Sequence, residues 1–431
     1  MLFICADPVG EEMAGLGIRN WELARVLREQ ADVTVAHGGR ESDHQPGLRT
    51  VPYEPHSPQS LKPLISDADV IVAHPQWALV TRWLRRSSAR IVFDLYDPET
   101  LETLELLAGR PMSARRLLTD TTLDRLHDAL LVGHHFMCAA ENQRDLWIGA
   151  MLALRLIGPR AYDRDPTLRS VIDVVPFGLP DGPPEIRAGR GPRQRLPQLG
   201  ADDELVLWNG GIWRWLDAPT AIRAIVLLAQ RRPGVRLLFM GGADDHPAAA
   251  QSVLDAKELA GELGVLGSTV IFHDGWIRYA ERGDWLAQAG CAVASGRDHL
   301  ETRFAFRTRL LDCLWAGLPI VCTSGDELSA RVRREDLGAV VAPGDVSGLA
   351  DAIEQVLSRG RAAYAERLKA AAAAYIWSRA AETLIRWAHE TEPAIRLDAS
   401  SAALGRPVAQ HVRELAYLGF ARPVLARMRR H

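Results

Sequence analysis

The chain has 431 residues, 47% of them hydrophobic and 24% charged, the balance of an ordinary globular protein of about two to three domains. A formal charge of −3 argues against a nucleic-acid binder held by bulk electrostatics. The five cysteines are scattered with no Cys-x-x-Cys pair, which points to reduced, buried thiols and a cytoplasmic setting. No stretch approaches the roughly 18–20 apolar residues of a membrane span, so the membrane contact expected is at most peripheral, at the inner face. Three lysines stand beside 48 arginines, leaving a stock of bidentate groups for phosphate or carboxylate.

Short apolar runs alternate with helical periodicity. Leu2 to Ala6 reads as a first core strand rather than a signal peptide, followed by a helix from Ile18 to Arg28 and a strand from Val33 to Ala36. Val70 to Ala73 and Ile91 to Phe93 are strands ending in polar clusters, His74-Pro75-Gln76 and Asp94-Leu95-Tyr96-Asp97, and Phe136 to Ala140 and Ile172 to Val175 repeat the theme. Residues 180–200 are dense in Pro, Gly and Arg, the composition of a linker. The pattern then restarts: strands at Leu205 to Trp208, Val235 to Met240, Val270 to Phe272, Ala292 to Ala294 and Leu318 to Cys322, with helices at Ala218 to Ala229 and Thr308 to Trp315. Such alternation predicts an α/β protein of two Rossmann-like, doubly wound parallel sheets. The expected domains are residues 1–185 and 201–380, with helices of 381–431, including the basic stretch 413–431, packing back on the first.

Three strand-to-helix junctions carry the candidate chemistry. Gly15 and Gly17 precede the first helix, where a glycine backbone and free helix N–H groups suit a phosphate. They lack the third glycine of the full dinucleotide fingerprint. Gly210, Gly211, Trp213 and Arg214 occupy the same junction in the second half. The most informative string runs from Asp298 through Glu301, Arg307, Thr308 and Arg309 to Asp312. Arginines in the first turn of a helix add charge to an already positive end, poor for stability but good for an anion.

The continuation "LLDCLWAGLPIV" resembles the signature helix of GT-B glycosyltransferases of the family 4 type, and "FRTRLLDCLWAGLPIV", "GLGIRNWELARVL", "IVFDLYDPETLE", "CAAENQRDLWIG" and "VVPFGLP" resemble a bacterial subgroup from surface-polysaccharide and secondary-metabolite pathways. The resemblance spans roughly residues 1–390. It implies the GT-B architecture, two Rossmann-like domains facing across a cleft, and transfer of a sugar from a nucleotide diphosphate donor, with retention and without a metal. Asp312 matches the second acid of the family's Glu-x7-Glu motif, which holds the ribose, and Phe306 matches the Phe of its "EGFG" loop. The position of the first acid is Phe304, while Glu301 stands three residues earlier. On this resemblance Gly15, Gly17, Gly210, Gly211, Trp213, Arg214, Arg307, Thr308 and Arg309 face the donor phosphates, and Gly275, Trp276 and Ile277 meet the base. Glu301 and Asp97 are the catalytic candidates, with His74, Glu141 and Arg144 on the acceptor side.

Other chemistries fit less well. His134-His135 has no carboxylate or cysteine at ligand spacing, so no metal site is assigned and no cofactor beyond the substrate nucleotide sugar is expected. His299-Leu300-Glu301 has the His-x-Glu of a zinc deaminase without its Pro-Cys-x-x-Cys. Two alternatives remain open at this point: a nucleotide-sugar epimerase of the same fold, and a non-catalytic nucleotide-sugar-binding partner protein. The expected partners are a nucleotide sugar and a glycan, lipid-linked or small-molecule acceptor, with no nucleic acid.

Overall fold

A computed structural model describes residues 1–39, 48–241 and 247–390. The described residues form two compact units, one running to Gly178 and joined by Trp377 to Glu390, the other Leu179–Ile376. The first holds seven strands: β1 (Leu2–Cys5), β2 (Thr34–His37), β3 (Arg49–Pro52), β4 (Val70–Ala73), β5 (Arg90–Asp94), β6 (His135–Cys138) and β7 (Ile172–Val174). They pair in the order β3-β2-β1-β4-β5-β6-β7, every pair parallel. All four residues of β1, β4 and β6 are buried, the continuous apolar run expected of a parallel strand covered on both faces.

The second unit holds β8 (Glu204–Gly211), β9 (Val235–Gly241), β10 (Val270–Phe272), β11 (Cys291–Ala294), β12 (Ile320–Thr323) and β13 (Gly338–Val341), in the order β10-β9-β8-β11-β12-β13. These pairs are parallel too. Each sheet thus starts centrally, winds outward one way, then reverses, at β1/β4 and at β8/β11. In doubly wound sheets ligands bind beyond the strand C-termini at that reversal, which is where the glycine junctions and the 295–309 loop lie. Among the described residues no helix is long and apolar enough to cross a membrane.

The edge strands β3 and β13 escape sequence reading because Arg49, Thr50 and Pro52, or a half-buried Gly338–Val341, show no buried apolar run. Residues 180–200 are not a bare tether. The Arg187 amide donates to Asp284 Oδ1 at 2.5 Å, the Arg193 amide to Gln288 Oε1 at 3.1 Å, and Arg195 pairs with Glu281 at 2.8 Å, all within the second unit. The helix Glu382–His389 packs on the first unit, its Trp387 stacked on His135 with centroids 4.8 Å apart. The stretch 413–431 lies outside the described residues.

Candidate functional site

In the first unit β1 leads through a loop to the helix Gly15–Leu27, whose N-terminus is capped by no side chain and carries no acid in its first turn. Gly17 is required by packing, because a Cβ there would fall 2.3 Å from the Pro8 carbonyl oxygen; one on Gly15 would touch the Tyr96 hydroxyl at 3.0 Å. Within about one turn of the glycines, Arg19 is fully buried and grips Asp94, Nε to Oδ2 at 2.6 Å and Nη2 to Oδ1 at 3.1 Å. Its remaining N–H groups donate to the Val175 and Pro176 carbonyls at 2.7 and 3.0 Å.

His74 follows β4. The Asn20 amide nitrogen donates to Leu16 O at 2.9 Å and lies 3.1 Å from His74 Nε2, so Nε2 accepts and Nδ1, 3.2 Å from the Asp94 carbonyl oxygen, carries the proton. Asp97 stands three residues beyond β5. Desolvation, then the Asp94 carboxylate, push its carboxyl up to about 8 against the Tyr96 hydrogen bond, so near pH 7 it donates rather than accepts a proton. A carboxyl raised on folding contributes stability that is full below its unfolded range and is lost as pH rises through its folded value. Wild type is therefore expected to lose stability relative to Asp97→Asn as pH rises from about 4 to about 8. Urea melts of both proteins at stepped pH check this, and parallel curves would contradict it.

The two remaining acceptor-side candidates do other work. Glu141 is exposed and pairs with Arg169 at 2.7 Å. Arg144 is buried, its Nε donating to Ile172 O at 2.9 Å and its Nη2 to Thr167 O. It anchors the helix Glu141–Ala153 to β7.

In the second unit β8 ends at Gly210, which adopts φ +89°, and Gly211. Trp213 and Trp215 stack in the following loop, centroids 5.2 Å apart, while Arg214 is exposed. This loop runs antiparallel beside the start of the 295–309 segment through the Leu216–Gly296 bridge, and Ser295 Oγ donates to Asp217 O at 2.6 Å. His299 caps the short helix Leu300–Phe304, Nδ1 accepting the Thr302 amide at 3.2 Å, and its Nε2 lies 3.1 Å from Trp215 O. Nδ1 accepts, so Nε2 carries the proton and ties the tryptophan loop to the helix. Glu301 is buried, its Oε2 3.7 Å from His299 Nδ1.

Arg307 and Arg309, two residues apart, part company. Arg307 is buried with its Nε 3.0 Å from Asp326 Oδ2 and its Nη1 donating to Thr323 O at 3.3 Å. Expected at the phosphates, it instead clamps its loop to β12. Arg309 turns the other way: Nη2 donates to Gly211 O at 3.1 Å, and the guanidinium carbon lies 3.9 Å from where a Gly210 Cβ would stand. Among the described residues its Nη1 is buried without a hydrogen-bond partner, as is Arg307 Nη2. Desolvation and the Arg307 charge lower its pKa to about 10, so it stays a cation at pH 7.

Arg309 and Thr308 open the helix Thr308–Trp315, which no side chain caps and no acid precedes in the first turn. Its neighbours in the unit, Ala218–Ala229, Glu327–Arg334 and Val346–Arg359, are each capped by an aspartate, Asp217, Asp326 and Asp345. One turn on, Asp312 accepts from Arg282 Nε at 3.1 Å through Oδ1 and faces Asn209 Nδ2 at 3.5 Å through Oδ2. Gly275, at φ +133°, is fixed by His273 Nδ1 donating to its carbonyl at 3.0 Å; Trp276 beside it is exposed and Ile277 half-buried. The fold thus gathers Gly210, Gly211, Arg309 and Asp312, ties the Trp213–Trp215 loop through the Trp215 carbonyl to His299, which neighbours Glu301, and gives Arg307, Glu141 and Arg144 other partners. Asn209 and Arg282 are partners the sequence did not single out, and His299 was weighed only as part of a His-x-Glu, since their distances in sequence from Asp312 and Trp215 carry no local signal. Among the described residues no group of three or more His, Cys, Asp or Glu is placed to hold a metal ion.

Two doubly wound units of this topology are the GT-B fold. Solved structures share it across nearly the whole chain. WaaG, a glycosyltransferase involved in lipopolysaccharide biosynthesis, is 17% identical with a TM-score of 0.58, covering 89% of this chain and 98% of its own. HepE from Anabaena, solved with UDP-glucose, is 15% identical with a TM-score of 0.65, covering 90% and 98%. The sucrose-phosphate synthase of Thermosynechococcus elongatus is 17% identical with a TM-score of 0.60, covering 89% and 97%. No curated protein sequence matches. Residues 203–359 match the family Glycosyl transferases group 1: the chain has the GT-B fold, and its second unit carries the group 1 domain.

Proposed function

We propose that the second unit binds a nucleotide diphosphate sugar and that the protein transfers its sugar, with retention and without a metal, to a glycan, lipid-linked or small-molecule acceptor. The observation that carries this is the uncapped start of the helix Thr308–Trp315, with the unpartnered Nη1 of Arg309 beside Gly210 and Gly211. Helix N–H groups, a desolvated guanidinium and a side-chain-free backbone form a diphosphate cradle. HepE, of the same fold, was solved with UDP-glucose.

As the sugar–phosphate bond breaks, positive charge grows on the sugar and negative charge on the leaving diphosphate. Arg309 and the helix end meet the second of these, already oriented, so little reorganisation is needed in the transition state. Asp312 takes the ribose diol, the 275–277 loop the base, and Glu301, brought to the tryptophan loop by His299, the transferred sugar. His74 and Asp97 line the acceptor side of the first unit, Asp97 as a neutral donor.

Melting curves with UDP, GDP, ADP and dTDP test the donor site. At about one hundred times the dissociation constant the matching nucleotide stabilises by about 2.7 kcal/mol, an upward shift of several degrees. No shift with any of the four contradicts the donor site. Conversion of a donor sugar without a transfer product would select the epimerase, and tight nucleotide binding without turnover the non-catalytic protein.

A further inference from the structure

Resting on that donor site, we propose that Arg282 is the positioning residue of its nucleoside subsite, holding the ribose acid and the base loop in a single arrangement. Its guanidinium carbon lies 3.7 Å from the Tyr279 ring centroid and 4.3 Å from that of Trp315. Trp315 is itself pinned by Nε1 donating to Gly182 O at 2.7 Å. A planar cation held this close to two rings has little room to rotate, which limits the directions in which its N–H groups point. Nε meets Asp312 Oδ1 at 3.1 Å and Nη1 meets the Tyr279 carbonyl at 2.8 Å.

The first bond orients the Asp312 carboxylate and occupies one oxygen. The other oxygen, with only the long 3.5 Å contact to Asn209, is left to accept from a vicinal diol. The second bond fixes Tyr279, two residues beyond Ile277, and so the end of the loop proposed to meet the base. Arg282 touches neither ribose nor base, yet both contacts depend on it. Lysine has a single donor centre and no plane, and so cannot reproduce the arrangement.

Calorimetric titration of UDP, GDP, ADP and CDP against their 2′-deoxy forms separates positioning from mere support. Wild type is expected to favour the ribo form about tenfold, the scale of a hydrogen bond to a charged group. Arg282→Met and Arg282→Lys should each bring that ratio to within about twofold, as should Asp312→Asn. An arginine that only supports the fold would weaken both forms equally and keep the ratio, and that result overturns the proposal. Should Arg282→Met not fold, Arg282→Lys, which keeps the charge, carries the measurement. Wild type binding ribo and deoxy forms equally also overturns it, with the donor site intact, whereas wild type binding none of the eight removes the donor site itself.

Discussion

Replacing Arg19 by Met is expected to destabilise the first unit by about 3–5 kcal/mol, the scale of breaking a buried ion pair from one side. Arg19 and Asp94 are 0% and 2% exposed, so the substitution strands the Asp94 carboxylate and also removes the donors to the Val175 and Pro176 carbonyls. Because Arg19 joins the helix Gly15–Leu27 to β5 and to the segment just after β7, the loss is expected across the whole sheet edge beside the glycine junction. Hydrogen exchange should show it as faster exchange in β1, β5 and β7, with the second unit's sheet unchanged. Removing both charges, Arg19→Met with Asp94→Asn, is expected to recover part of the stability, since no ionised group is then left buried alone. A double variant no more stable than Arg19→Met alone would show that the carbonyls, rather than the ion pair, dominate the cost.

Arg309→Ala is expected to lower nucleoside diphosphate affinity about ten- to a hundredfold, the worth of a charge-assisted hydrogen bond to phosphate. The free protein should be no less stable for it, because Arg309 is a desolvated cation beside Arg307 with Nη1 unpartnered, and functional groups of this kind commonly cost stability. Arg307→Ala should do the reverse, destabilising the fold through the orphaned Asp326. Glu301→Ala is expected to keep nucleotide affinity and lower kcat, the mark of an interaction made mainly in the transition state. Calorimetry, melting curves and a donor-turnover assay on the three variants read these outcomes directly. Equal loss of affinity in Arg307→Ala and Arg309→Ala, without destabilisation of either, would place both at the phosphates.

Local chemistry made much of this site legible. The helix Thr308–Trp315 was expected at its observed bounds, because an apolar face at helical spacing and an N-terminus without Asp or Ser are both read from neighbouring residues. The same holds for the parallel sheets, whose buried strands are short continuous apolar runs separated by helical periods. The glycines at 210 and 211 were visible as a strand-to-loop junction, but φ +89° at Gly210 and the Arg309 guanidinium beside it were not. Glu141 and Arg144 looked equally eligible because a polar side chain after a strand end has no local mark saying whether it faces solvent, a carbonyl or a ligand.

By itself the sequence determined the buried strands, the doubly wound class and the positions of the three strand-to-helix junctions, since each follows from interactions within a few residues of chain. The tertiary structure alone decided which charged groups serve those junctions. Arg307 and Arg309 differ by two positions, and across a helix start that spacing turns their side chains to different faces. One face meets Asp326, nineteen residues onward, and the other meets Gly211, ninety-eight residues back. Asp312 is likewise set by Arg282 and Asn209, thirty and 103 residues away. A buried charge takes whichever partner the packing of distant strands brings within about 3 Å, and no local pattern records that choice.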